Sequence, residues 1–378
     1  MAFEHYINSG GKRLRCGYTT GTCAALAAAG ATELLLTGRA PEQVHLMTPK
    51  GILVEEETQG CQMEGAGAVC GIRKDAGDDI DATAGLVIFA RVERVTAAEI
   101  TIEGGEGVGR VTKPGLDQPV GAAAINRVPR EMIAQEVEAV CAAHRYRGGI
   151  QVTIFVPNGE QVAKKTFNPN LGVEGGISIL GTSGIVEPMS MQALVDTISI
   201  ELRQAAALKA KGVILTPGNY GMDFLQEQGM DRLDIPIVKC SNFIGEALDE
   251  GGAQEFSEIL LVGHVGKLVK IAGGIMNTHS RWADCRTELF CAYGAICGAE
   301  QTVCCKLMGA ATADQCITIL KEAGLWERVL DKLLEAIQRH LDRRAAGRFQ
   351  VGAVLFSNQF GTLGHTQGAK EILKAWKR

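Results

Sequence analysis

The sequence predicts two domains of mixed architecture: an N-terminal α+β domain over residues 1–172 and a C-terminal Rossmann-like α/β domain with a parallel sheet over residues 173–378. Three observations predict it. A chain of 378 residues exceeds the roughly 250–300 at which one hydrophobic core usually stops growing. Up to about residue 170, short strand-like runs mix with two helical patterns. From about Gly175 onward, short apolar runs alternate with helical periodicity, the mark of βα units. The boundary is placed at residues 171–176.

In the first domain, Thr22 is the expected N-cap of a helix that carries Cys23, Leu26, Ala27, Gly30, Ala31, Leu34 and Leu35 at i, i+3, i+4 spacing, with Gly38 as its stop. The predicted buried face is narrow and built of small residues. Strand-like runs such as residues 86–92 follow. A second helix is expected near Pro129, turning Met132, Ile133, Val137, Val140 and Cys141 inward before Gly148 and Gly149 end it. Ile150, Val152, Ile154 and Val156 then alternate toward Asn158-Gly159, which predicts a hairpin returning through residues 161–167. In the second domain the expected strands are residues 176–181, 212–216, 236–240, 258–263 and 349–357. A helix after Pro188 and Ser190 should bury Met191, Leu194, Val195, Ile198, Leu202 and Ala205. A helical excursion over about 281–344 separates the fourth strand from the last. No internal repeat or low-complexity segment is evident.

Composition narrows the function classes. Hydrophobic residues make up 46% and charged residues 21%, which excludes a disordered chain, and 47 Gly against 10 Pro suit tight turns around a ligand. The net charge of -5 argues against a general electrostatic grip on nucleic acid or an anionic membrane. Residues 1–15 lack the apolar core of a signal peptide, and no run approaches the ~18 apolar residues of a membrane span, so a cytoplasmic location is expected. The twelve Cys include no C-x-x-C pair. Cys285, Cys291, Cys297 and Cys304 recur at intervals that hold no single helical face, so buried thiols and no protein-bound metal are expected.

In an open parallel sheet, ligands bind beyond the carboxyl ends of strands, where helix N-termini offer unpaired N–H groups. The segments at those expected ends are Gly181-Thr182-Ser183-Gly184, Pro217-Gly218-Asn219-Tyr220-Gly221, Ser241-Asn242-Phe243 and Gly263-His264-Val265-Gly266-Lys267. Together they favour a nucleotide-like ligand, with Gly181, Thr182, Gly184, Gly218, Asn219, Gly221 and Gly263 as its contacts. No G-x-G-x-x-G opens a helix after a strand and no Walker-type Gly-Lys-Ser/Thr occurs; the Gly-rich stretch 104–109 leads into Arg110-Val111-Thr112-Lys113-Pro114, not a helix. Asp75, Asp78, Asp79 and Asp81 lack the closing Glu of an EF-hand loop and read as a solvated turn. His264, at a strand end, and His279, among Asn277, Thr278, Ser280 and Arg281, are the candidate catalytic histidines.

Leu14-Arg15-Cys16-Gly17-Tyr18-Thr19-Thr20-Gly21-Thr22-Cys23-Ala24-Ala25 resembles the signature of the CbiD family of cobalt-precorrin methyltransferases. DAGDDIDAT from Asp75, GVGRVTKPGL from Gly107, AINRVPREMI from Ala124, TFNPNLGVEGGISILGTSGIVEPMS from Thr166, PGNYG from Pro217 and GHVGKLVKIAGG from Gly263 through THSR at Thr278 are similar to the same family in the same order, spanning about residues 10–285. Where the family pattern carries prolines, this chain has Ala123 and Arg127.

The resemblance implies methylation of carbon C1 of cobalt-precorrin-5B, giving cobalt-precorrin-6A, with S-adenosylmethionine as donor and cobalt arriving only inside the tetrapyrrole. An electron-rich ring carbon can attack the sulfonium methyl in line, so the protein's task is positioning and desolvation. The donor is expected on the second domain's loops. The macrocycle's carboxylates are expected on Arg15, Tyr18, Thr19, Thr20 and Thr22, which precede a helix N-terminus, and on Lys267 and Arg281; His264 and His279 would orient the ring or accept a proton. Partners are then a small tetrapyrrole, with no nucleic acid or membrane. A homo-oligomer and transient contacts with neighbouring pathway enzymes stay open. The alternatives are a dinucleotide-dependent oxidoreductase, which would bind a nicotinamide, and a non-catalytic tetrapyrrole carrier, which would not bind the methyl donor.

Overall fold

The computed structural model describes residues 3–9, 11–169 and 171–376. The chain divides into two compact units, residues 1–191 and 192–378.

The first unit is built around the helix Thr20–Thr37, and the reason is its composition. Ala, Gly, Thr and Cys dominate its first three turns, so backbones can approach from every side, and the residues from Thr20 to Thr32 are buried. A Cβ on Gly21 would meet Pro129 Cγ at 2.7 Å, and one on Gly30 would meet Cys70 Sγ at 3.3 Å. The expected narrow face is therefore corrected to burial all round. Thr19, not Thr22, is the N-cap; Gly38 ends the helix in the left-handed region at φ 73°. The helix rests on a five-stranded sheet ordered Gln59–Glu64, Gly67–Arg73, Val87–Val95, Gly149–Phe155, Ile100–Gly104, in which only the last pairing is parallel. Beside it lies the helix Arg127–Ala143, which buries Met132, Ile133, Val137 and Cys141 but leaves Val140 half-buried and ends at His144.

Three further expectations change here. The hairpin through residues 161–167 is absent. Asn158 adopts φ 65° and Gly159–Ala163 forms a short helix, because Gly159 packs directly on the Gly107 carbonyl. Residues 176–181 form no strand of a second-domain sheet: Val173–Glu174 pairs with Arg110–Val111, Ile177 bridges Val108, Ile179 bridges Ile125, and Ile185–Val186 pairs with Gly17–Tyr18. Ile177, Ile179 and Ile185 are buried in the first unit's core, so the division falls after Met191 rather than at 172/173. Finally, Cys61 and Cys70 form a disulfide across adjacent strands, a pair the expectation of simple buried thiols did not foresee.

The second unit has a five-stranded sheet in the order Ile237–Lys239, Gly212–Thr216, Glu258–His264, Gln350–Ser357, Gly361–His365. The first four are parallel and the last is an antiparallel edge. Side chains alternate between two apolar layers. Ile214, Leu260, Val262, Val354 and Phe356 face the helices Asn219–Glu227 and Gln367–Trp376; Val213, Leu215, Ile259, Leu261 and Ala353 face a larger layer with Ile244–Ala253 and Trp326–Ala345. Helix Met191–Ala207 joins that larger layer through Ile198, Leu202 and Ala205, whereas Met191 (45%) and Leu194 (51%) are exposed, contrary to expectation. Four helices between Arg286 and Ala345 make up the excursion. No helix is long and apolar enough to cross a membrane among the described residues.

Candidate functional site

Parallel pairing puts the carboxyl ends of four strands on one edge of the second unit: Thr216, Lys239, His264 and Ser357. The loop Pro217-Gly218-Asn219 lies between two lysines. Lys267 Nζ donates to the Pro217 carbonyl at 2.5 Å, and Lys239 Nζ donates to Asn219 Oδ1 at 3.2 Å. Burial pulls the Lys267 pKa down, against the charge of Cys240, which raises it. Gly218 holds φ 147°, a region that disfavours a side chain, and precedes helix Asn219–Glu227 without capping it by a side chain. Thr216 is fully buried, and its Oγ1 has no hydrogen-bond partner.

His264 caps the short helix Val265–Leu268: Nδ1 accepts from the Gly266 amide at 3.1 Å. A neutral ring so held carries its hydrogen on Nε2. That nitrogen lies 4.0 Å from Asp314 Oδ2, and Ser357 Oγ donates to Asp314 Oδ1 at 2.6 Å. The ring stands edge-on to Phe356. Burial lowers the His264 pKa and the Asp314 charge raises it, with burial the larger, so the neutral form is favoured.

His279 and Arg281 sit exposed on the loop after the bridge of Asn277 to Phe243, with His279 Nδ1 accepting from the Arg281 amide at 3.1 Å. Thr278 anchors that loop to Asn242 through its amide and its hydroxyl. Beneath it Lys270, 3% exposed, donates to the carbonyls of Thr278 (3.0 Å) and Ala283 (2.9 Å) and lies 3.7 Å from Asp284. Gly263 and Gly221 are buried and serve packing. A Cβ on Gly263 would meet Leu268 at 3.0 Å and Pro217 at 3.1 Å, and one on Gly221 would overlap Thr216 Oγ1. Gly221, expected as a ligand contact, is therefore a packing position, and Gly221→Val strains the fold.

The remaining predicted site residues belong to the first unit, where all but Thr182 are engaged. Gly181, Thr182 and Gly184 do not lie on the second unit's sheet. Gly181 packs against the Thr19 side chain, Gly184 O accepts from Thr22 Oγ1 at 2.7 Å and from the Thr19 amide at 3.0 Å, and Thr182 is exposed. Thr20 Oγ1 accepts from Leu180 N at 2.9 Å and donates toward the Ser178 carbonyl at 3.1 Å. Tyr18, 1% exposed, donates to the Arg73 carbonyl at 2.7 Å. Arg15 grips Asp75 with both terminal nitrogens, at 2.5 and 2.9 Å, while its amide bonds Asp78. Burial alone would raise Asp75, but Arg15 and the Gly77 amide hold it below the usual carboxylate range. The expected cradle for anions is thus a closed junction: its helix N-terminus is occupied by Thr19 Oγ1 and the carbonyls of Leu180 and Gly184. The acidic turn is likewise an internal lock, with Asp81 on buried Lys74 at 2.5 Å.

Sequence reasoning missed Lys239, Lys270, Asp314 and Ser357. Lys239 and Ser357 each end a predicted strand or lie within it, and that position was their available signal. Asp314 lies on a helix far along the chain with no motif to mark it. Among the described residues, no group of three or more His, Cys, Asp or Glu is arranged to hold a metal ion.

The family model described as CbiD matches residues 7–188, and the one described as the CbiD C-terminal domain matches residues 277–367. The chain is similar to the cobalt-precorrin-5B C(1)-methyltransferase of Ruminiclostridium cellulolyticum, 47% identical over 98% of this chain and 97% of that one. It is also similar to the enzyme of the same name from Alkaliphilus metalliredigens, 42% identical over 99% and 98%. A crystal structure of a cobalamin biosynthesis protein (cbiD) from Archaeoglobus fulgidus is 30% identical, covering 73% of this chain and 86% of that one, with a TM-score of 0.40.

Proposed function

Since the chain belongs to the CbiD family, we infer that it transfers a methyl group to carbon C1 of cobalt-precorrin-5B, a step of anaerobic cobalamin biosynthesis. The observation that carries this is identity of 47% extending over 98% of the chain, which spans both units. The relatives do not favour the oxidoreductase or carrier readings.

The donor in this reading is S-adenosylmethionine. Its sulfonium supplies an electrophilic methyl: the ring carbon's electron pair forms the new C–C bond while the S–C pair returns to sulfur. The chain's own residues then hold and orient. Gly218 and Asn219, beside Lys267 at the parallel sheet's carboxyl edge, fit the donor, and two features support this: the glycine-only backbone at 218 and the orphaned Thr216 hydroxyl. Gly221 and Gly263 act indirectly by letting the loop pack closely. His264 serves as an N–H donor from Nε2 rather than a proton acceptor, because Nδ1 is already taken by Gly266. Arg281 and His279, exposed on a loop clamped by Lys270, fit the macrocycle's carboxylates. Cobalt enters as part of the substrate. Anoxic incubation with isotopically labelled S-adenosylmethionine and cobalt-precorrin-5B should give a tetrapyrrole one labelled methyl heavier; absence of labelled macrocycle from folded protein refutes the reading.

A further inference from the structure

We infer that Lys239 and Lys267 form a carboxylate-binding site over Pro217, Gly218 and Asn219, and, resting on the methyl-transfer reading above, that it holds the amino-acid carboxylate of the donor. The two ammonium groups reach the same loop from the two strands that flank Gly212–Thr216: Lys239 ends Ile237–Lys239, and Lys267 lies on the short helix Val265–Leu268 that follows Glu258–His264. Lys267 Nζ is 2.5 Å from the Pro217 carbonyl and lies 3.9 Å from where a Gly218 Cβ would be; Lys239 Nζ is 3.2 Å from Asn219 Oδ1. Neither lysine has an Asp or Glu oxygen within ion-pair distance among the described residues. Glu201, the acid that faces Lys239, is itself pushed up by burial, which the hydrogen bond from the Lys239 amide and then the charge of Lys239 only partly offset. Two lysines on one loop, each bonded to a neutral oxygen and neither in an ion pair, are an arrangement that an anion completes.

The backbone beneath adds to this. Helix Asn219–Glu227 has no acidic residue in its first turn and no side-chain cap, so its N-terminal partial positive charge is unanswered. The helix Ile244–Ala253, after the neighbouring strand, has Glu246 in its first turn. Thr216, 0% exposed, aims its unpartnered Oγ1 at Gly221 in that same first turn. Gly218, at φ 147°, leaves no Cβ between Lys267 and the loop. Burial of Lys267 lowers its pKa, and a bound carboxylate would act in the opposite direction. The donor and the macrocycle both carry carboxylates. The donor is favoured because the site lies at a strand end that is followed directly by a helix N-terminus, where a compact ligand reaches backbone amides.

The test is calorimetric titration of the full chain, without macrocycle, using S-adenosylmethionine and its decarboxylated analogue. Wild type should bind S-adenosylmethionine at least tenfold more tightly than the analogue. Lys267→Met should erase most of that preference, and Lys239→Met should reduce it at least threefold, while affinity for the analogue stays within twofold in all three proteins. Retained analogue binding doubles as the folding control. If Lys267→Met binds neither compound, Lys239→Met, whose side chain is exposed, decides. Equal binding of both compounds by wild type overturns the inference and leaves the donor reading standing. Unchanged preference in the variants with a raised KM for cobalt-precorrin-5B also overturns it, and assigns the lysines to the macrocycle. Failure of wild type to bind S-adenosylmethionine overturns the donor reading and the inference with it.

Discussion

Substituting Thr19 and Thr20 separates a helix cap from a substrate cradle, and the geometry fixes the expected sizes. Thr19 Oγ1 accepts from the Thr22 amide at 3.2 Å, so Thr19→Val removes one N-cap bond, a loss of about 1 kcal/mol. Thr20 is costlier. Its hydroxyl accepts from the Leu180 amide at 2.9 Å and donates to the Ser178 carbonyl at 3.1 Å, and the residue is 4% exposed, so Thr20→Val removes two part-buried bonds and should cost about 1–3 kcal/mol. The order of destabilisation is therefore Thr20→Val above Thr19→Val. Urea denaturation followed by a probe in the first unit reads it, since two units need not unfold together. Turnover per folded molecule, with the folded fraction taken from the same curves, should stay within about twofold of wild type, far short of the ~1.4 kcal/mol that a tenfold loss represents. A tenfold fall in turnover with native stability would refute this, because it would mean that hydroxyls spent on the Thr22 and Leu180 amides nevertheless hold substrate.

Three other substitutions test the second unit. Gly221→Ala drives a Cβ into Thr216 Oγ1 and to 3.0 Å from Thr216 Cβ, so it should destabilise by about 1–3 kcal/mol despite alanine's better helix propensity, and Thr216→Ala should rescue it; additive losses in the denaturation cycle would count against the overlap. Lys270→Met leaves the carbonyls of Thr278 and Ala283 without their donor, so limited proteolysis should cut residues 278–283 several times faster, and wild-type cleavage rates would dismiss the clamp. Because burial depresses His264 below its unfolded value, its neutral ring contributes stability above about pH 6.5 that is lost as the pH falls through the lower folded pKa. His264→Asn keeps an N-cap acceptor, so its melting temperature should fall less than wild type's between pH 7.5 and 5.5; parallel pH profiles would remove His264 from the account.

The second sheet was largely legible because burial on both faces leaves a plain trace. The run Gly212–Thr216 is apolar up to its final threonine, and Glu258–His264 is apolar through its middle, as expected of parallel strands covered on both sides. The misreadings arose where long-range pairing outweighs local pattern. Residues 176–181 look like a first parallel strand, yet Ile177 and Ile179 spend their backbone on Val108 and Ile125, and nothing in the local sequence names those partners. The helix Thr20–Thr37 was legible in its stop at Gly38, and not in its first turn or its environment. A 3.6-residue period reveals one apolar face, but Ala, Gly and Thr tolerate burial on every face, so burial all round leaves no polar stripe to read.

The same asymmetry governs the site. The segment most recognisable as a signature, Arg15 to Thr22, is the one whose polar atoms are consumed internally: Arg15 on Asp75, Tyr18 on Arg73, Thr20 on Leu180, Thr22 on Gly184. A sequence motif records that particular residues are required, and a junction that locks a buried helix to a distant strand requires them as strictly as a ligand does. At the second unit's sheet edge the signal is weaker and the chemistry more available. Gly218 is a single glycine, Lys239 a single lysine at a strand end, and Thr216 a single threonine among apolar neighbours. What sets them apart appears only in three dimensions: a hydroxyl with no partner, a helix N-terminus left uncapped, and two ammonium groups that each meet a neutral oxygen and make no ion pair, so that part of their charge is unanswered. Polar groups that a fold leaves unanswered carry a desolvation cost that a ligand can relieve, whereas those it has paired offer a ligand nothing without first breaking a bond. On that physical ground the binding site we propose lies at the quiet lysine-flanked loop rather than at the conspicuous threonine-rich motif.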